Sequence, residues 1–284
     1  MSFDKYITVL LLFIFSTAFL PAISNAQAQL PNKYELVWSD EFSKDGLLDT
    51  SVWSYEKGFV RNEEAQWYQQ ENTFCKDGQL IIEARKEQRA NPLYIAGSNK
   101  WRENRPTIEY TSSCIMTRGK KQWQYGLFEM RARIDVSAGM WPAWWMLGVS
   151  KPWPANGETD IMEYYRDKLL ANFLCLGKDG KNEWHSNIKS VAAMGGEQWA
   201  SQYHIWKMDW TKDFIEIFVD DVSLNRMSVD SLVNKDGSGF NPYRQPHYML
   251  LDFAIGGTNG GDPSSTSFPR RFEVDYIRVY QKKK

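Results

Sequence analysis

Three acids stand close together in Gly157-Glu158-Thr159-Asp160-Ile161-Met162-Glu163-Tyr164-Tyr165. Read as a strand, this segment puts Glu158 and Asp160 on one face, because side chains alternate along a strand. Strict alternation would set Met162 beside them and turn Glu163 away. One surplus residue, a β-bulge, returns Glu163 to the acidic face. The trio then spans about 13 Å at about 3.3 Å per residue, and two Glu side chains leaning together can bring their carboxyls to about 5–5.5 Å, the separation of retaining rather than inverting glycosidases.

Such chemistry needs one carboxylate ionised, to attack an anomeric carbon, and another protonated, to help the leaving oxygen depart. Like charges held close push their two pKa values apart, which supplies that division. Asp160, between the two, is placed to hydrogen-bond the attacking group and hold a shared proton. The alternatives are a solvated acidic strand edge or a calcium-binding face. Three uncompensated acids on one face repel one another, and the flanks are apolar and aromatic rather than hydrophilic, which favours a catalytic site.

A sheet must position such a trio, and the 284-residue chain has the pattern of one. Residues 79–84, 126–134, 214–219 and 272–280 alternate apolar and polar, with turn signals such as Lys76-Asp77-Gly78 and Asp220-Asp221 between segments. Long amphipathic helical runs are missing; a single turn of helix is expected near residues 196–201. Many short strands parted by turns predict an all-β sandwich, here one domain over residues 27–284. Residues 7–20 form the longest apolar run, behind Lys5 and ahead of small residues at Ser24-Asn25-Ala26. This reads as a secretory signal peptide over residues 1–26, so the mature protein is expected to be secreted or periplasmic and free of membrane.

Net charge is −1, with 34 Lys+Arg against 35 Asp+Glu, which argues against nucleic-acid binding. Cys75, Cys114 and Cys175 are widely spaced and match no metal clip; they are buried small residues, or two of them form one bridge. With 3 His in the chain, no zinc site is expected. The aromatic content is high: 13 Trp, 14 Tyr and 15 Phe. Trp141, Trp144 and Trp145 crowd into Trp-Pro-Ala-Trp-Trp-Met, and Trp153 follows. Core filling accounts for about half of such residues, but flat apolar faces beside polar groups are also what pyranose rings require.

With these motifs in order, the chain resembles glycoside hydrolase family 16, in its laminarinase-like branch with a bulged E-x-D-x-x-E strand. Residues 36–42 (LVWSDEF), 62–68 (NEEAQWY), 80–87 (LIIEARKE), 125–133 (YGLFEMRAR), 140–147 (MWPAWWML) and 274–280 (VDYIRVY) follow the order of that family. The resemblance implies a β-jelly-roll of two antiparallel sheets with a concave substrate cleft. It implies Glu158 as nucleophile, Asp160 as its assisting carboxylate and Glu163 as general acid/base, with no catalytic cofactor. It further implies that Asn62, Arg85, Trp123, Trp141 and Trp145 line the cleft, and that Glu41 and Asp275 match the positions of a structural calcium site. Trp184 is a further cleft candidate.

The chain also departs from the family. Asn172 stands where the β-glucanases of this branch carry a His, and residues 182–186 and 256–261 differ from a plain laminarinase. The expected activity is therefore an endo-acting retaining glycosidase on a β-1,3- or β-1,3/1,4-glucan. Endo-β-galactosidase action on keratan, mucin-type or algal galactan chains is the alternative, and a non-catalytic lectin a further one. A monomer with a polysaccharide as its only partner is expected.

Overall fold

Period-two segments fold as strands over Gln79–Ala90, Gly126–Arg133, Phe214–Val219 and Arg270–Lys282. The structure, a computed structural model, describes residues 33–283, so the expected signal peptide over residues 1–26 lies outside the described residues. Two sheets form, one of ten strands and one of seven. The seven-stranded sheet runs Asn182–Ser190, Lys168–Leu176, Glu158–Tyr165, Met140–Gly148, His247–Ile255, Cys114–Met116, Ser54–Tyr55 from edge to edge. All its pairs are antiparallel. In the ten-stranded sheet Gln66–Tyr68 and Thr107–Ser112 pair in parallel, a local exception to the antiparallel expectation.

Alternation divides each strand of the smaller sheet between two environments. Met140, Trp144 and Met146, then Leu251, Phe253 and Ile255, then Ala171 and Phe173 point inward. There they join Phe128, Met130, Trp206, Ile217, Phe272 and Ile277 from the larger sheet in one core. Each large apolar side chain so buried stabilises the fold by about 1.5–3 kcal/mol. Trp141, Trp145, Leu147, Tyr248 and Leu250 take the other face and line a cleft. Cys75, Cys114 and Cys175 are buried and unbridged. Among the described residues α-helix is confined to single turns at Val191–Met194, Gly196–Ala200 and Gly257–Gly260. No helix among the described residues is long and apolar enough to cross a membrane.

The acid strand breaks step where its spacing predicts. Against Lys168–Leu176, Asp160 pairs with Asn172 and Glu163 with Leu170, so Ile161 and Met162 together oppose Ala171. Against Met140–Gly148, Asp160 pairs with Trp145 and Met162 with Trp144, and Ile161 is the residue skipped. Both bulge residues are fully buried in the core. Two successive side chains pointing inward are what let Glu163 share the outward face of Asp160.

Because Met162 is locked into the core at the bulge, Met162→Ala should cost about 2–5 kcal/mol of stability. It should also cost activity out of proportion to the unfolded fraction. Denaturant titration alongside turnover under native conditions checks both.

Candidate active site

The outward face of the acid strand forms the floor of a cleft of about 1020 Å³. Glu158, Asp160, Glu163 and Tyr165 lie on it, flanked by Trp141 and Trp145 of the neighbouring strand and by Asn172 of the other. Trp184 borders the cleft from the edge strand, and Trp153 from the loop before the acid strand. Glu158 and Glu163 are partly exposed toward the groove, whereas Asp160 is buried between them.

Each carboxylate has a dedicated donor. Trp153 Nε1 donates to Glu158 Oε2 at 2.6 Å, and Trp141 Nε1 donates to Glu163 Oε1 at 2.8 Å. Asn172 spans the remaining gap: its Nδ2 donates to Asp160 Oδ2 at 2.9 Å and to Glu163 Oε2 at 3.1 Å. Donation of this kind favours the ionised forms, but burial opposes it more strongly. Desolvation, reinforced by the neighbouring Asp160 charge, raises Glu158 and Glu163 well above the ordinary carboxylate range. Asp160 is itself pushed up to about 7, chiefly by burial. Glu158 and Asp160 also share a hydrogen bond. The trio therefore holds its protons more tightly than ordinary carboxylates do, and such groups titrate as a set rather than singly.

A second polar layer holds the floor. Asp252 accepts from Trp145 Nε1 at 2.6 Å and from Tyr68 Oη at 2.9 Å, and burial pushes it up to about 6. Arg61 pairs with Glu56 and stacks over the Trp145 ring at 5.2 Å from the centroid, lining the same cleft. Asn62 sits at a left-handed φ of 52° and donates to Glu64 Oε1, while its carbonyl accepts from Thr258 N. Gly257 must be glycine for this approach: a Cβ there would lie 2.6 Å from the Asn62 carbonyl oxygen.

Of the residues singled out in the sequence, Glu158, Asp160, Glu163, Asn62, Trp141, Trp145 and Trp184 meet in this cleft. Arg85 and Trp123 do not line it. Arg85 lies on the ten-stranded sheet, tied to Glu83, because alternation along Gln79–Ala90 turns it outward. Trp123 is buried in the core against Trp38 and Phe128. Glu41 is forked by Arg278 through both its oxygens, and Asp275 is paired with Arg131. With both carboxylates neutralised by guanidinium groups, this donor set does not fit a calcium ion, which takes six to eight oxygens. Sequence reasoning did not single out Arg61, Trp153 and Asp252 as site residues. Asp252 had a signal, being the one acid in the largely apolar run His247–Ile255.

Comparison with known proteins agrees with the geometry. Residues 61–278 match the family model described as glycosyl hydrolases family 16. The chain is 35% identical over 274 residues to a beta-glucanase of Rhodothermus marinus, covering 87% of this chain and 85% of that one. Two further relatives are longer, and the chain spans 38% and 34% of them. The catalytic domain of an endo-1,3-beta-glucanase (laminarinase) from Thermotoga petrophila RKU-1 superposes with a TM-score of 0.72 at 32% identity, covering 88% of this chain and 99% of that one. A structure reported under the words "Prominent members of the human gut microbiota express endo-acting O-glycanases to initiate mucin breakdown" superposes at 0.79 with 31% identity, covering 89% and 93%.

Two consequences can be measured. An acid whose pKa is raised by folding lends its stability below the unfolded value and loses it as pH climbs through the folded one. Asp160→Asn can still accept from Asn172 and donate to Glu158, so it should be more stable than the parent above pH 7 and similar near pH 4. Melting temperatures across that range check this. Asn172→Ala removes a shared donor to two ionisable acids, a loss of about 1.5–3 kcal/mol in a charge-assisted bond. It should lower kcat/KM roughly tenfold to hundredfold. The alkaline limb of the pH profile, set by ionisation of Glu163, should move to higher pH, since its ionised form loses a donor.

Proposed function

From the premise that the chain belongs to glycosyl hydrolase family 16, we propose that this endo-β-glycosidase cleaves internal bonds of a β-1,3- or β-1,3/1,4-glucan with retention at the anomeric carbon. One observation carries the mechanism: the bulge at Ile161 and Met162 gathers Glu158, Asp160 and Glu163 on a single cleft face. Glu158 attacks the anomeric carbon. The Trp153 indole N–H on its Oε2 favours the ionised form needed for attack. Glu163, raised by burial, holds the proton that the leaving oxygen takes. Asp160 accepts from Asn172 and shares a proton with Glu158, stabilising whichever of its neighbours is charged.

In the second half of the cycle Glu163, now ionised, takes a proton from water, which displaces Glu158 from the sugar. Acid–base assistance of this type contributes roughly 10²–10⁴-fold in rate. Trp184, exposed at the groove edge, offers a ring on which a pyranose can stack, and Trp141 and Trp145 line the groove beside the acids. Export, expected from residues 7–20, would bring the enzyme to polysaccharides too large to enter a cell. Action as a monomer is part of the same proposal.

A β-galactoside of an O-glycan or related galactan is the second reading, and two observations favour it. Asn172 binds the acids directly where the glucanase pattern has a His. The O-glycanase structure also superposes more closely than the laminarinase one, at 0.79 against 0.72.

Glu158→Gln should abolish turnover while leaving oligosaccharide binding intact, and full activity in that variant would refute the nucleophile. Azide added to Glu158→Ala should yield the α-glycosyl azide, identified by NMR. Incubation with laminarin, mixed-linkage glucan, keratan, mucin O-glycans, agarose and porphyran, with sizing of the fragments, decides the substrate. Release from the galactose-containing chains alone would establish the second reading, and binding with no new reducing ends would indicate a lectin.

A further inference from the structure

Behind the cleft wall lies a cluster that glycoside cleavage does not use. Cys175 pairs in register with Glu183 of the edge strand, and His185 follows two residues on, so all three share the face opposite the cleft. Cys175 Sγ stands 3.9 Å from His185 Nε2, and that nitrogen stands 3.4 Å from Glu183 Oε1. All three donor atoms lie within 4.8 Å of one another, the one such group of three among the described residues.

These separations are close to those a metal would impose. Tetrahedral zinc, with a sulfur ligand at about 2.3 Å and nitrogen and oxygen ligands at about 2.0–2.1 Å, sets sulfur–nitrogen and nitrogen–oxygen edges of about 3.5 Å and about 3.3 Å. The sulfur–nitrogen and nitrogen–oxygen edges thus need to close by only a few tenths of an ångström, and the sulfur–oxygen edge, within 4.8 Å, by about 1.3 Å at most. We propose that Cys175, Glu183 and His185 bind one divalent cation of the zinc class, with water in the fourth position. On binding, the Cys175 thiol gives its proton to solvent and the thiolate sulfur becomes a ligand. Thiolate with imidazole selects zinc-like ions and disfavours calcium and magnesium.

Cys175 is enclosed, while Glu183 and His185 are partly exposed, so the opening to solvent runs past the carboxylate and imidazole. Lys235, from the loop beyond, holds Glu183 Oε1 through its ammonium group, and a cation must displace it. Trp184 sits between Glu183 and His185 with its side chain on the cleft face, so the cation would brace the strand that carries this cleft tryptophan. The residues lie eight and ten positions apart along the chain. Only the antiparallel register joins them, which is why their spacing resembles no metal clip.

Cobalt(II) added to the chelator-stripped enzyme is the test, because a thiolate-to-cobalt charge-transfer band reports sulfur ligation directly. One equivalent should saturate the band, and zinc(II) should abolish it stoichiometrically. Cys175→Ser should remove the band, His185→Ala should weaken binding roughly tenfold or more, and Lys235→Met should tighten it. Near-UV circular dichroism confirms that each variant is folded. Absence of the band at millimolar cobalt, its persistence in Cys175→Ser, or affinity unchanged in both His185→Ala and Lys235→Met would overturn the proposal. The readout is optical, so it stands whatever the polysaccharide turns out to be.

Discussion

Three carboxylic acids withdrawn from water along a single strand are the constraint around which the cleft is organised. Left ionised and unassisted, they would repel one another in a medium that solvates charge poorly. Two responses are visible. Indole N–H groups of Trp141 and Trp153 and the amide of Asn172 are aimed at their oxygens, and the remaining imbalance is met by retaining protons. Each response is also what a double displacement uses, since one partner must be charged while another carries a proton. Electrostatic tension and chemistry are here one arrangement.

Precision comes from the other side of the same strand. Thr159, Ile161, Met162 and Tyr164 are buried, so the acid-bearing backbone cannot shift without disturbing the layer between the sheets. Laterally, Asp252 fixes the Trp145 indole, and the Arg61 guanidinium sits over that ring. The groove floor is thus polar in its fastening and aromatic in its surface, the combination a ring of alternating hydroxyl and C–H faces calls for.

Much of this was legible in the sequence, and for definite reasons. Alternation in residues 126–133 and 214–219 is a local pattern that solvent and core enforce directly, so the strands could be read. The bulge was legible because two acid spacings, Glu158 to Asp160 and Asp160 to Glu163, disagree by one residue. Arg85 and Trp123 were misplaced because a position in a motif does not say which sheet, or which face, a strand will present. Glu41 and Asp275 look like free oxygen donors until their neighbours are known; Arg278 and Arg131 arrive from register alone. Trp153 was noticed with the other tryptophans but not assigned to the site for a similar reason, since its contact with Glu158 depends on the path of a loop. The zinc-like trio escaped because its members meet only across a strand pair.

The surplus residue in the acid strand bears on how such a protein can change over generations. A point substitution at Ile161 or Met162 alters packing but leaves the count of residues, and so the facing of Glu163, as it was. Removal of a single codon from that stretch would instead swing the acid inward and leave a glycan-holding groove with no reactive partner. Heredity in this sandwich therefore guards a length as closely as it guards any letter, and the passage between a cutter and a mere holder of sugars is one in-frame triplet wide.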